Sequence, residues 1–158
     1  QVVFVEKSDA ESLTSNSTPQ LIPGLSATIT PKFNTSKILV QVVFHASIGG
    51  NYASHYMVLR RGATDICIGD AAGSRIRGSI ALQSATFWDD NSSALYSMGQ
   101  ASLNFLDSPA TDTAVTYGLY HADADGTNAL YVNRSRNDSD SNNYIRVSST
   151  ITLMEVSA

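Results

Sequence analysis

Between residues 37 and 48 the chain alternates in character. Ile38, Val40, Val42, Phe44, Ala46 and Ile48 hold every even position, and Lys37, Leu39, Gln41, Val43, His45 and Ser47 hold the odd ones. A period of two sends successive side chains to opposite faces of an extended chain, so this segment predicts a β-strand with its even face in a core. The odd face is mixed, because Leu39 and Val43 stand among polar residues. A plain solvent face would not carry them, and something is expected to cover it.

The same pattern recurs in short pieces separated by turn residues. Strands are predicted at 1–6, at 25–30 up to Pro31, at 54–61, and at 66–69 after the turn Gly62-Ala63-Thr64-Asp65. Further strands are predicted at 80–88, ended by Asp89-Asp90-Asn91, and at 94–106 with a bulge at Gly99. The last ones are 113–121, with Val115, Tyr117 and Leu119 in phase, then 130–133, then 145–156, with Ile145, Val147, Ile151 and Leu153 in phase. The best helical signal is one short turn around 9–13. About nine or ten strands without crossover helices predict an all-β chain, an antiparallel β-sandwich or barrel, and exclude a parallel α/β fold.

Composition narrows the function classes. A chain of 158 residues is one domain's worth of core. No apolar run approaches the length of a membrane-spanning helix, so no membrane insertion is expected. The start at Gln1 fits a piece processed from something longer. Net charge is −4 with only 15% charged residues, and Ser, Thr and Asn fill the polar positions. Nucleic acid is therefore not an expected partner, since phosphate binding needs clustered Lys or Arg. The single Cys67 allows no internal disulfide, and between Ile66 and Ile68 it reads as an inert buried thiol, which fits folding in a reducing cytoplasm.

Candidate chemistry is sparse. HADADG at 121–126 invites a calcium reading, but His121 and Val132 stand where the first and twelfth positions of an EF-hand loop need ligands, and Asp123 and Asp125 fit a hairpin turn. The acidic run with Asp138 and Asp140 reads as a solvated loop. His45, His55 and His121 fall on separate predicted strands, with no local metal-ligand spacing. There is no nucleophile elbow and no phosphate loop, and most aspartates lie in turns rather than as opposed carboxylates. No enzyme activity, metal or cofactor is implied. Arg75 and Arg77, like Arg134 and Arg136, could present an anion site from one face, although solvated strand ends explain them as well. Among loop aromatics, Tyr52, Phe87, Trp88 and Tyr144, the best sugar-binding cluster is Trp88 beside Asp89, Asp90 and Asn91. Core or subunit packing competes with that role for Trp88.

Five motifs in order carry a resemblance: PGLSATITPKFNTSKILV (23–40), GDAAGSRIRG (69–78), NFLDSPAT (104–111), YVNRS (131–135) and ITLMEVSA (151–158). Together they resemble the C-terminal module of marine, cyanophage-like bacteriophage tail-fibre and virion structural proteins. The resemblance covers most of residues 21–158 and implies a β-sandwich domain there. Residues 1–20 are then expected to be an N-terminal segment or linker from an upstream fibre shaft. The resemblance also implies a jelly-roll of C1q/TNF-like type that assembles as a homotrimer. Its implied place is the virion, made in the host bacterial cytoplasm, beside other fibre or capsid proteins. The expected role is non-enzymatic adhesion of a fibre tip to host-surface glycans, with Trp88, Asp89, Asp90, Asn91, Asp123 and Asp125 as candidate ligand residues. The alternative is a purely structural part, a capsid decoration, head fibre or trimerisation cap. In a trimer Leu39 and Val43 would be covered by a neighbouring protomer, with Gln41 and His45 hydrogen-bonded or at the rim.

Overall fold

The computed structural model describes residues 1–49, 54–83 and 96–157. Among them are eleven strands and no helix: β1 (Val2–Lys7), β2 (Glu11–Leu13), β3 (Gln20–Ile29), β4 (Lys37–Ile48), β5 (Ser54–Arg61), β6 (Thr64–Ile66), β7 (Ile80–Gln83), β8 (Gly99–Asp107), β9 (Val115–Asp123), β10 (Leu130–Val132) and β11 (Ser149–Val156). The alternating segment is β4 itself, and it becomes the centre of the first sheet. One of its edges pairs with β8, and the other pairs with β11 and then β10. Outside these, β1 pairs with β11 and β2 with β10. In the second sheet β9 lies between β3 and β5, and the far edge of β5 takes β6 and β7 in turn. Every pairing is antiparallel, so the all-β expectation holds, and the two sheets enclose one core in the manner of a β-sandwich.

The even face of β4 is that core. Ile38, Val40, Val42, Phe44 and Ala46 are at most 2% exposed and pack with Met57, Leu59, Tyr117 and Leu119 of the second sheet. Burying side chains of the larger kind is worth roughly 1.5–3 kcal/mol each, an upper bound because unfolded chains already hide some surface. A polar tie also joins the sheets. Asp107 of β8, 5% exposed, accepts the Tyr117 hydroxyl of β9 at 2.6 Å and Nη1 of Arg61 of β5 on both oxygens at 2.8 Å. Burial and the bond to Asp107 both push the Tyr117 phenol up, so it remains a donor. A second tie, within the first sheet, is Asn133, fully buried with φ 59°. Its Nδ2 donates to the carbonyls of Lys7 (2.7 Å) and Asp9 (2.9 Å), and its Oδ1 accepts from Ser149 Oγ at 2.6 Å.

Several expectations are corrected. The helical turn expected around 9–13 contains strand β2 instead, because pairing with β10 satisfies its backbone. The linker expected at 1–20 is part of the sandwich: β1 pairs with β11 over its whole length, and Val3 and Val5 pack on the core. No fold boundary falls at residue 20, where β3 begins. That strand runs through Pro23-Gly24 with a register shift between Leu21 and Ser26, and Gly24 has φ 79°. Gly99 pairs in regular register with Ala46 rather than in a bulge. The phase expected from Ile145 holds only from Ser149 on. Ile145 itself is 65% exposed, near an isolated bridge between Arg134 and Arg146.

Candidate functional site

The glycine-punctuated stretch 69–78 leaves the second sheet after β6 and returns at β7. Its neck is closed by the Gly69 N–H donating to the Gly78 carbonyl at 3.2 Å. Ser79 then stitches the returning chain to β5 and β6. Its N–H reaches the Met57 carbonyl at 2.7 Å, while its Oγ accepts from Leu59 N–H at 2.9 Å and donates to the Ile66 carbonyl at 3.1 Å. A Cβ on Gly78 would lie 3.2 Å from the Met57 carbonyl oxygen and 3.3 Å from Tyr56 Cβ, a tight approach that a larger residue would meet by shifting the loop a few tenths of an ångström away from β5. Between this loop, the start of β5, β7 and the turn after β9 lies a cleft of about 420 Å³. Its walls include Tyr56, Ile76, Ile80, Ala81 and Ala124, with His55, Asp70, Arg75 and Arg77 as its titratable or charged lining.

The two arginines differ from four of the other five in the chain. Arg60 pairs with Asp65 at 2.6 Å, Arg61 with Asp107 at 2.8 Å, Arg134 with Asp138 at 3.9 Å, and Arg146 also with Asp138. Arg75 and Arg77 have no carboxylate partner among the described residues. Each is steadied by a loop carbonyl: Arg77 Nε donates to Gly69 at 2.6 Å and Arg75 Nη1 to Ala72 at 3.3 Å. Their side chains are exposed at the cleft. The expected solvated strand ends are thus a built loop beside a concavity.

Next to the cleft the sandwich interior turns polar. Along β9 the inward phase of Tyr117 and Leu119 continues to His121 and Asp123, and along β5 the phase of Leu59 and Met57 continues to His55. His55 is 1%, His121 2% and Asp123 0% exposed. In the register His55 faces Asp123, and Met57 faces His121. Burial lowers the pKa of both histidines. For His121 the adjacent His55 lowers it further, Glu11 opposes, and the value is about 4; for His55 the opposing group is Asp123. Burial would raise the Asp123 carboxyl, but hydrogen bonds from Asn128 and Thr127 outweigh it and hold it below the ordinary value. Both His55 ring nitrogens, His121 Nδ1, Asp123 Oδ1 and Ser15 Oγ are buried with no hydrogen-bond partner among the described residues. The sequence signal for this cluster was the strand phase running on into polar residues.

The residues singled out from sequence fare differently. Trp88, Asp89, Asp90 and Asn91 lie outside the described residues, as do Tyr52 and Phe87. Asp123 is corrected from a surface ligand group to a turn anchor: its Oδ2 accepts from Thr127 N–H, Asn128 N–H and Asn128 Nδ2, each at 3.0 Å. Asp125 is exposed at the same turn. His55 and His121 share the interior, whereas His45 sits on β4 in the other sheet and bonds through Nδ1 to the Ser148 carbonyl at 2.8 Å, so the three are not joined. Among the described residues no group of three or more His, Cys, Asp or Glu is arranged to hold a metal ion. Tyr144 stacks on Tyr96 with ring centres 5.1 Å apart, and its hydroxyl accepts from Asn137 Nδ2 at 2.8 Å. Cys67 is partly rather than fully buried, and burial pushes its thiol up, away from nucleophile chemistry.

Leu39 and Val43 lie on the outer face of the first sheet, half-buried within the single chain. The register makes Leu39 part of a row across four strands: Val2, Met154, Leu39, Leu106. Val2 is 63% and Leu106 47% exposed. The next row on this face is Phe4, Thr152, Gln41 and Asn104, in which Gln41 Nε2 donates to Asn104 Oδ1 at 2.9 Å. Val43 has Thr150 and Ser102 as its neighbours, so Leu39 stands in an apolar row and Val43 in a polar one. In comparison with known proteins, no protein-family model and no curated protein sequence matches this chain.

Proposed function

We propose that the chain is a non-enzymatic module of a bacteriophage virion fibre, a homotrimer of jelly-roll subunits that adheres to glycans on the host surface. The observation that carries this reading is the apolar row Val2, Met154, Leu39 and Leu106 on the outer face of the first sheet. The inner face of that sheet already forms the core, so burial of the row calls for another protomer, at a gain of ~25 cal/mol per Å² of apolar surface. A closed ring of identical contacts satisfies every copy. The jelly-roll reading draws support from the strand order: β1, β11, β4 and β8 in one sheet and β3, β9, β5 and β7 in the other, with the chain passing repeatedly between them. Adhesion draws support from the hydrogen-bonding, weakly charged surface, and from the avidity that several copies of a weak site provide.

The test is attachment of labelled trimer to host cells, with Leu39→Glu as the comparison. The expected result is attachment by the wild-type protein and its loss in a folded but monomeric Leu39→Glu. Failure of a trimeric wild-type protein to attach to any host cell contradicts the adhesion reading. One observation favours the purely structural alternative: Asp123 spends its carboxylate on its own turn. That alternative expects Trp88→Ala and the paired Asp89→Ala, Asp90→Ala change to leave attachment as it was.

A further inference from the structure

The arginine-lined cleft has features that adhesion alone does not account for. Its loop is pinned at the neck and stitched to β5, so Arg75 and Arg77 are presented by a defined backbone. The chain has 14 acidic and 10 basic side chains, yet these two cations, like Arg136, have no acidic partner among the described residues, while Arg60, Arg61, Arg134 and Arg146 do; of the three, Arg75 and Arg77 line the cleft. His55 also lines the cleft; it is 1% exposed and neither of its ring nitrogens has a hydrogen-bond partner among the described residues. Beside the charges runs an apolar wall of Ile76, Ile80, Ala81 and Ala124. A volume of about 420 Å³ is at the lower end for small-ligand sites of ~300–1,000 Å³. A guanidinium offers its N–H groups in a fork that matches the paired oxygens of a carboxylate or a sulfate.

We propose that the cleft binds an acidic saccharide unit, with Arg75 and Arg77 taking its carboxylate or sulfate ester and the apolar wall taking a face of the ring. The proposal deepens the adhesion reading and rests on it for the choice of a saccharide over another organic anion. Asp70, also in the lining, disfavours ligands whose negative charge spreads over the whole cleft, and it can accept a sugar hydroxyl.

The experiment is calorimetric or NMR titration of the intact protein with four probes: a uronic-acid disaccharide, a sulfated disaccharide, a neutral disaccharide of the same size, and sodium sulfate. At least one acidic disaccharide is expected to bind more tightly than the neutral one, with affinity falling as salt rises. The double variant Arg75→Ala, Arg77→Ala is expected to lose about tenfold or more in that affinity. Its thermal midpoint should fall only slightly, because both side chains are exposed and each gives up one hydrogen bond to a carbonyl of its own loop. Binding of the carboxylated or of the sulfated probe alone identifies the anion and supports the proposal either way. Equal binding of neutral and acidic disaccharides, unaffected by the double variant, overturns the cleft as an anion site and leaves adhesion standing. Sodium sulfate binding as tightly as either acidic disaccharide overturns the saccharide assignment. Arginine-dependent binding of an acidic disaccharide by a protein that attaches to no host cell supports the cleft and contradicts the adhesion reading.

Discussion

Replacing His121 with glutamine removes a titrating group from the polar end of the core, and its effect can be worked out in advance. In the folded chain His121 titrates near 4, against 6.5 for an unburied histidine, because burial and the neighbouring His55 outweigh the attraction of Glu11. Between those values the unfolded chain binds more protons than the folded one. Stability is therefore complete above the unfolded value and falls as the pH drops towards the folded one. From pH 7 to pH 5 the loss assignable to His121 is about 2 kcal/mol, and about 3 kcal/mol at the bottom of the window. His55, also lowered, acts in the same sense. The carboxylates held below their ordinary values, Asp9, Asp123 and Glu155, keep nearly all of their stabilising contribution between pH 7 and pH 5 and lose it as the pH falls further, through their ordinary values of 4.5 for Glu155 and 3.8 for the aspartates. The assay is urea unfolding followed by circular dichroism at pH 7 and pH 5, at one fixed protein concentration so that assembly contributes equally. With a denaturant slope of about 2 kcal/mol per molar, the wild-type midpoint falls by about 1 M or more. In His121→Gln that fall shrinks by about 1 M, whatever the variant's stability at pH 7. An unchanged fall in the variant refutes the buried, neutral His121.

Two further predictions concern the ties between strands, and two concern surfaces. Tyr117→Phe deletes the hydroxyl that reaches Asp107 and should cost about 1.5–3 kcal/mol, read as a lower thermal midpoint, with Arg61 still holding the carboxylate. Asn133→Ala removes three side-chain hydrogen bonds and puts alanine at a left-handed backbone position, for a loss of about 3 kcal/mol or more. Asn133→Gly should recover the backbone part of that loss and none of the hydrogen-bond part. The Arg75→Ala, Arg77→Ala variant should lose acidic-saccharide binding while staying folded, with only a small fall in stability from the two loop-carbonyl bonds it gives up, and Leu39→Glu should stay folded while losing self-association, as sedimentation would show.

Strands were legible where one face was uniformly apolar. The limits of β4 follow from its even positions, which are apolar from Ile38 to Ile48, whereas β5, with Met57, Val58 and Leu59 all buried, was bounded by the turn residues on either side. β2 was not legible because Glu11-Ser12-Leu13 is too short and polar to carry a period, and only its pairing with β10 makes it a strand. β3 was read short because Pro23 and Gly24 resemble a break, while the strand absorbs them as an irregularity in register. Asp123 was misplaced for a related reason. Its composition, Asp beside Ala and Gly, says turn, whereas its phase with Tyr117 and Leu119 says interior, and both hold at once. Arg75 and Arg77 were visible as a pair, but their lack of acidic partners depends on which aspartates the fold brings near each arginine.

The central claim is that the outer face of the first sheet is covered by other copies of this chain. Light scattering across a range of protein concentrations tests it most directly. A mass three times the 16.9 kDa of one chain, reduced to a single chain in Leu39→Glu, is the predicted result. A strict monomer at every concentration would leave Val2, Leu39, Leu106 and Met154 facing solvent and contradict the account.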